Sequence, residues 1–434
     1  MAINQQAVDL NETIHQVNPA VYNLLSERGR GIFFPEKGIL SQTADAQSCT
    51  INATIGSALM DDNITMHLPS IARYISLPPQ DVFSYAKGPG MPAMRKQWQK
   101  LIRQKNPSLG ETAISLPVVT SGITHGLSLS GYLFVNPDDT IILPDLFWGN
   151  YRLIFEETWN GSITTYRTFT DDKVLNIKAL REKLAEKEIG KKIVVLNFPN
   201  NPSGYTPTIA EARAIAESLQ ASAEAGNDIV VIIDDAYFGL VYESGIFTES
   251  LFALLANAHP RILAVKLDGA TKEDYVWGFR IGFITFGTAE NSETLYAAME
   301  SKCAGAVRGT VSNASHIAQS LLLRGYTSES YADEKKECYE TLKKRYTTIR
   351  EILEAHPEYA EIFDPFPFNS GYFMCIRIAE NIDAEELRKH LINRYSTGVI
   401  ATGRLLRIAF SSTPTALLET LFENIYNAGK ELTG

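Results

Sequence analysis

Lys272 and Arg280 stand eight residues apart in LDGATKEDYVWGFRIGF, residues 267–283, inside a largely apolar and aromatic run. Two readings are open: surface cations on a turn between strands, or an amine and a guanidinium kept close for chemistry. Four other stretches bear on the choice. In DIVVIIDDAYFGL, Asp234 follows five apolar residues, so its carboxylate is partly desolvated and costly to keep charged without a cation or a hydrogen-bond donor. Tyr237 comes three residues later. In NFPNNPSG, two prolines and a glycine make a rigid turn that can aim the amide of Asn201. In PDLFWGNY, Trp148 offers either a flat face to an aromatic ligand or a core contact. In SGITHG, a small-residue turn opens a helix, where the free N–H groups of Gly122, Ile123 and Thr124 and the helix dipole suit a phosphate. His125 in that turn reads as a capping or packing residue and is assigned no role.

Each stretch alone has a plain structural explanation. Together they match one ligand: a phosphate for Gly122, Ile123, Thr124 and Arg280, a ring face for Trp148, a protonated ring nitrogen for Asp234, a phenolic oxygen for Asn201 and Tyr237, and an aldehyde for Lys272. That ligand is pyridoxal 5′-phosphate. An amine that forms a Schiff base and a guanidinium that clamps the phosphate must lie close together, which accounts for the spacing of Lys272 and Arg280.

The elements that position these residues follow from hydrophobic pattern. Apolar, β-branched runs at 115–121, 140–145, 192–199, 228–235, 261–269 and 280–287 predict strands, several of them covered on both faces. Helical periodicity marks 92–105, 176–188, 209–226 and a long region from about 315 through DEKKECYETLKKRYTTIREILEAH. The alternation predicts an α/β fold, with the polar residues at the carboxyl ends of strands, where open sheets bind ligands. Strands return at SGYFMCIRI and LLRIAFSS. The expected division is a large domain over 63–314, with a smaller α+β domain from residues 1–62 and 315–434.

With 434 residues and 45% apolar content, the chain is long enough for a large core. A formal charge of −10 argues against nucleic acid or an anionic membrane as partner. Four cysteines lie far apart without a C-x-x-C pair, so neither a disulfide framework nor a metal site is expected. MAINQQAVDL lacks a basic and a hydrophobic leader region, and no apolar stretch reaches the ~20 residues of a membrane span. A cytoplasmic location is the expectation.

These motifs resemble the fold-type I pyridoxal-phosphate aminotransferases of class I/II, nearest the aspartate and aromatic branch, over almost the whole chain. The resemblance implies a mainly parallel, seven-stranded-type sheet between helices. NPSG is similar to the family's NP-[ST]-G turn, which puts Asn201 on the ring O3′; DDAY gives Asp234 to the ring nitrogen and Tyr237 to O3′; TKEDYVWGFRIG makes Lys272 catalytic and Arg280 a phosphate ligand. FWGNY resembles W-x-N-H, with Trp148 stacking on the ring. YAKGPGMPAMR resembles Y-x-x-x-x-G, so Tyr85 reaches the phosphate of a neighbouring subunit, which implies a homodimer with shared active sites. INATIGSALMDD resembles the segment whose glycine, here Gly56, lines the substrate pocket. Two departures stand out: Gly269 where a serine is usual, leaving a hydroxyl contact to Thr271 or Ser121, and Ile123 where a small residue is usual.

The implied substrates are an L-amino acid and a 2-oxo acid such as 2-oxoglutarate, exchanged in a ping-pong cycle. In GRLLRIAFSS, Arg407 takes the position of the arginine that binds the α-carboxylate, with Arg404 as the alternative. VRGTVSNAS resembles R-x-x-x-S-N, so Arg308 crosses the dimer to a side-chain carboxylate, and aspartate or glutamate is expected. Val311 stands where an aromatic residue is usual, which leaves aromatic substrates open. A carbon–sulfur or aminocyclopropane-forming lyase of the same fold is the rival. A cofactor-sensing regulator fits less well, because only about 60 residues precede the large domain and they are not basic.

Overall fold

The computed structural model describes residues 3–34, 38–186 and 188–433. Its centre is a seven-stranded sheet of β1 (Val118–Thr120), β2 (Thr140–Pro144), β3 (Ser162–Tyr166), β4 (Lys191–Asn197), β5 (Asp228–Asp234), β6 (Ile262–Asp268) and β7 (Gly282–Gly287). The spatial order is β1-β7-β6-β5-β4-β2-β3, and β7 alone runs against its neighbours. The α/β class and the mainly parallel sheet agree with expectation. β4, β5 and β6 bury almost every residue, as strands covered on both faces must. β3 was not expected from the pattern. Its sequence SITTY is largely half-buried at the sheet edge and lacks an apolar run. The stretch from 115 pairs as a strand only over β1, and the one from 280 begins two residues late because Arg280 is left-handed, with φ +52°.

Helices cover the sheet. α1 (Pro92–Lys105) starts on a proline, whose missing N–H is harmless in a first turn. α2 (Ile123–Phe134) follows β1. α3 (Ile177–Ala185) is capped by the Asn176 side chain and stops short of 188; Lys187 lies outside the described residues. α4 (Ile209–Glu224) opens on a capping box between Thr208 and Glu211. α5 (Glu293–Thr310), α6 (His316–Tyr326) and α7 (Tyr331–Ala355) lead to a second sheet.

That sheet is antiparallel and holds β8 (Phe363–Pro365), β9 (Phe373–Ile378), β10 (Ile400–Thr402) and β11 (Leu405–Ala409), in the order β10-β11-β9-β8. Ile51–Asn52 pairs in parallel with Thr397–Gly398, which ties the N-terminal segment to this part of the chain. The final helix, α8 (Leu418–Thr433), buries Leu418, Leu421, Phe422, Ile425, Ala428 and Gly429, a stripe at helical spacing. Among the described residues no helix is long and apolar enough to cross a membrane.

Candidate active site

Register brings the polar strand ends together. Asp234 of β5 lies opposite Asn197 of β4 and Leu267 of β6, so the loops after all three strands leave the sheet at one edge. The Asn197 amide donates to the Asp234 carbonyl at 2.9 Å, and its oxygen accepts the Asn201 N–H at 2.9 Å. This fixes the Asn201 backbone from inside. The amide of Asn201 has no partner among the described residues and lines a cleft of about 1670 Å³ together with Trp148 and Arg407.

Asp234 is 3% exposed. One oxygen accepts the Ala236 N–H at 3.1 Å and the other the Tyr151 hydroxyl at 2.6 Å. It forms no ion pair among the described residues. Burial pushes its pKa up, opposed by the Tyr151 bond and the nearby Lys272. Tyr151 is the residue that the sequence reading missed. The available signal was FWGNY itself, in which Tyr151 takes the place of the histidine in W-x-N-H. Its ring is also edge-on to Trp148, with centroids 5.8 Å apart.

Lys272 sits on a single helical turn, Ala270–Glu273, just after β6. Its Nζ lies 4.5 Å from the centre of the Tyr237 ring. Burial brings the amine down to about 8; Asp234 resists that fall and the Arg280 guanidinium adds to it. The Tyr372 hydroxyl donates to the Lys272 carbonyl at 3.3 Å, a second contact with no motif to announce it.

Arg280 holds a left-handed backbone that costs about 1–2 kcal/mol for a side chain of its kind. The bend returns its guanidinium over Gly122. The φ of +84° at Gly122 favours glycine, and a Cβ there would lie 2.8 Å from Arg280 Nη2, so a larger residue would also displace the guanidinium. The first N–H groups of α2, including Ile123 and Thr124, have no intrahelical partner, and the helix starts next to Gly122, where the Arg280 guanidinium lies. Gly269 also has a reason: a Cβ would meet the Ile281 carbonyl at 2.6 Å. Thr271 donates its hydroxyl to that carbonyl at 3.2 Å, which leaves Ser121 as the spare hydroxyl. His125 braces the turn, accepting the Ser121 N–H at 3.1 Å and meeting Thr310 at 2.9 Å.

Arg407 on β11 is 7% exposed. Its Nη2 donates to the Thr54 carbonyl at 3.3 Å, its guanidinium lies 4.4 Å from the Phe373 ring centre, and its Nε is buried without a partner among the described residues. Burial pushes its pKa down, and Tyr237 partly offsets this. Arg404 instead faces solvent, paired with Glu380 at 3.0 Å. Gly56, two residues after Thr54, is exposed, and a Cβ there would meet nothing within 4 Å. Tyr85 and Arg308 are not brought into this group. Tyr85 is 92% exposed, and Arg308, also exposed, donates to the Ser312 hydroxyl at 2.6 Å.

Residues 57–425 match the family model of aminotransferase class I and II. The chain belongs to that family. Among similar curated aminotransferases, a probable N-acetyl-LL-diaminopimelate aminotransferase of Bacillus subtilis is 24% identical over 47% of this chain and 48% of its own length. The mitochondrial aspartate aminotransferase of Schizosaccharomyces pombe is 25% identical over 62% of this chain and 61% of its own. The chain thus spans about half to three fifths of these relatives. An aminotransferase of Anaerococcus prevotii has the same fold, with a TM-score of 0.81 at 21% identity, covering 93% of this chain and 98% of that one. Class I and II aminotransferases typically depend on pyridoxal phosphate, and the residues here fit it: a buried carboxylate with no ion pair among the described residues, a helix N-terminus beside an arginine, and a half-buried lysine.

Proposed function

We propose that the chain is a pyridoxal-phosphate-dependent aminotransferase that moves an amino group from an L-amino acid to a 2-oxo acid, with Lys272 as its catalytic residue. The neighbourhood of Lys272 and Asp234 carries the reading: an amine on the turn after β6, over the Tyr237 ring and brought down to about 8 by burial, near a buried carboxylate that forms no ion pair among the described residues. Pyridoxal phosphate, when bound, supplies an electron sink for the pair left by the substrate's Cα–H bond. Asp234 holds the proton on the ring nitrogen. Asn201 and Tyr237 donate to the phenolic oxygen, and Trp148 covers the ring face. Gly122, Ile123, Thr124 and Arg280 hold the phosphate. Lys272 would be the group that takes up and returns the proton of the substrate's Cα–H bond; an amine near 8 can both accept and return a proton close to neutral pH.

Arg407 binds the α-carboxylate, a role supported by its unpartnered Nε, while Arg404 is occupied by Glu380. Gly56 lines the pocket with bare backbone. The exposure of Tyr85, with Phe83 beside it at 84%, is consistent with a homodimer in which Tyr85 reaches the partner's phosphate. Arg308 crosses the same interface to the substrate side chain, which makes aspartate or glutamate the preferred donor, with a 2-oxo acid such as 2-oxoglutarate as acceptor. Residues 63–314 form the cofactor domain, and 1–62 with 315–434 the smaller one. The pairing of Ile51–Asn52 with Thr397–Gly398 supports that division.

The test offers the purified protein, loaded with pyridoxal phosphate, one amino acid at a time without acceptor, and measures the 2-oxo acid released. Fast release from aspartate or glutamate, lost in Arg308→Ala while other donors are spared, supports the whole reading. Release from aromatic donors alone removes the dicarboxylate assignment. Sulfide or ammonia from an amino acid with no half-reaction favours the lyase.

A further inference from the structure

We propose that Lys335 is a positioning residue for Lys272, acting through the two buried acids that follow it. The inference rests on the reading of Lys272 as the cofactor-bearing lysine. Glu273 and Asp274 are 5% and 1% exposed. Glu273 Oε1 accepts from Lys105 at the end of α1, at 2.7 Å, and from Lys335 on α7, at 3.0 Å. Asp274 Oδ1 accepts from Lys335 at 3.1 Å and from the Tyr331 hydroxyl at 2.5 Å. Its Oδ2 accepts from the Tyr326 hydroxyl of α6 at 2.7 Å. Two acids and two ammonium groups balance in charge, and three helices meet on the residues next to Lys272. Lys335 alone among them bridges both acids.

The backbone shows why such an anchor is needed. Tyr275, three residues after Lys272 and 3% exposed, has φ +57°, a conformation that a bulky side chain keeps only when its surroundings hold it there. The Val276 N–H closes the turn on the Thr271 carbonyl at 3.0 Å. Lys272 therefore sits on a strained turn whose next two residues are held by side chains of three helices. The side chains near Lys272 itself, Asp234, Arg280 and Tyr237, share no side-chain hydrogen bond or ion pair with Glu273 or Asp274 among the described residues.

Helix α7 extends the link. Ten residues beyond Lys335, or about 15 Å along the helix, the fully buried Arg345 donates to the Ser411 carbonyl at 2.5 Å and to Asp61 at 2.8 Å. Ser411 lies two residues past the end of β11, the strand that carries Arg407. One helix thus joins the backbone behind Lys272 to the strand of the proposed substrate-carboxylate arginine.

The experiment compares full-length wild type with Lys335→Met, Lys335→Arg and the near-isosteric Asp274→Asn. Apoprotein is mixed with pyridoxal phosphate, and cofactor fixed to Lys272 is trapped with borohydride over time. Affinity for pyridoxamine phosphate, which has no aldehyde for the lysine, is measured separately. The expected result is fixation slowed about tenfold or more in Lys335→Met and Asp274→Asn, as a misplacement near 1 Å produces. Pyridoxamine phosphate affinity stays near wild type and Lys335→Arg recovers most of the rate. Fixation at the wild-type rate in folded Lys335→Met overturns the proposal, with Asp274→Asn deciding if the methionine variant unfolds. Fixation and affinity falling together, without recovery in Lys335→Arg, assigns the cluster to stability alone and also overturns it. Wild type that traps no cofactor on Lys272 defeats the parent reading instead.

Discussion

Asp234 and Asp235 are neighbours at the end of β5, yet they belong to opposite kinds of environment. Asp235 is ion-paired with Lys266 of β6 and accepts the Ser250 hydroxyl at 2.6 Å. Lys266 also reaches Asp268 at 3.3 Å, and Asp268 accepts the Trp98 indole N–H at 2.9 Å. Burial opposes the charge of Lys266, but the two carboxylates outweigh it and push its pKa up. Six residues along, Lys272 has no ion pair among the described residues and its pKa falls to about 8. The same residue types therefore give a closed cluster around the fully buried Lys266 and an open one around the half-buried Lys272. On the proposed reading, the open one is where the cofactor completes the set of charges.

The strongest way to break this comparison is to remove each lysine. Lys272→Ala is expected to lower aminotransferase turnover by about 10⁴-fold with little change in melting temperature. Lys266→Met should do the reverse, destabilising the fold by about 3–5 kcal/mol while the folded fraction keeps turning over. Denaturant titration together with steady-state assays separates the two outcomes. A smaller effect is expected at the substrate end. Arg407→Met should weaken carboxylate binding by two to three decades, about 3–5 kcal/mol, whereas Arg404→Met should stay close to wild type in KM.

Next comes Tyr151→Phe, which removes a hydrogen bond to the Asp234 carboxylate worth about 1.5–3 kcal/mol. Turnover should fall about tenfold or somewhat more, and pyridoxal phosphate titration should show a changed affinity. The mildest prediction concerns pH. Because the neutral amine is the nucleophile, the rate at which apoprotein captures pyridoxal phosphate should rise about tenfold between pH 7 and 9 and level off above that, given an amine near 8. A rate still climbing past pH 10 would mean an ordinary lysine.

What could be read beforehand followed the apolar runs. β4, β5 and β6 announce themselves, and so Asn201, Asp234 and Lys272 could be placed at one sheet edge before any coordinates. β3 could not, because SITTY at an edge carries no run to detect. The roles of Arg280 and Gly122 were legible as types, but not the left-handed turn that brings them within touching distance. Lys335 was invisible for a different reason, its partner Asp274 being distant in sequence; FWGNY marked the place of Tyr151, but only folding shows that it faces Asp234. Tyr85 and Arg308 act, on the proposed reading, across a subunit boundary that a single chain does not contain.

The most direct test of the central claim is to load the purified protein with pyridoxal phosphate, reduce it with borohydride and map the modified peptide. The account predicts a single stoichiometric adduct on Lys272. An adduct on Lys266 or another lysine, or none at all, would contradict it.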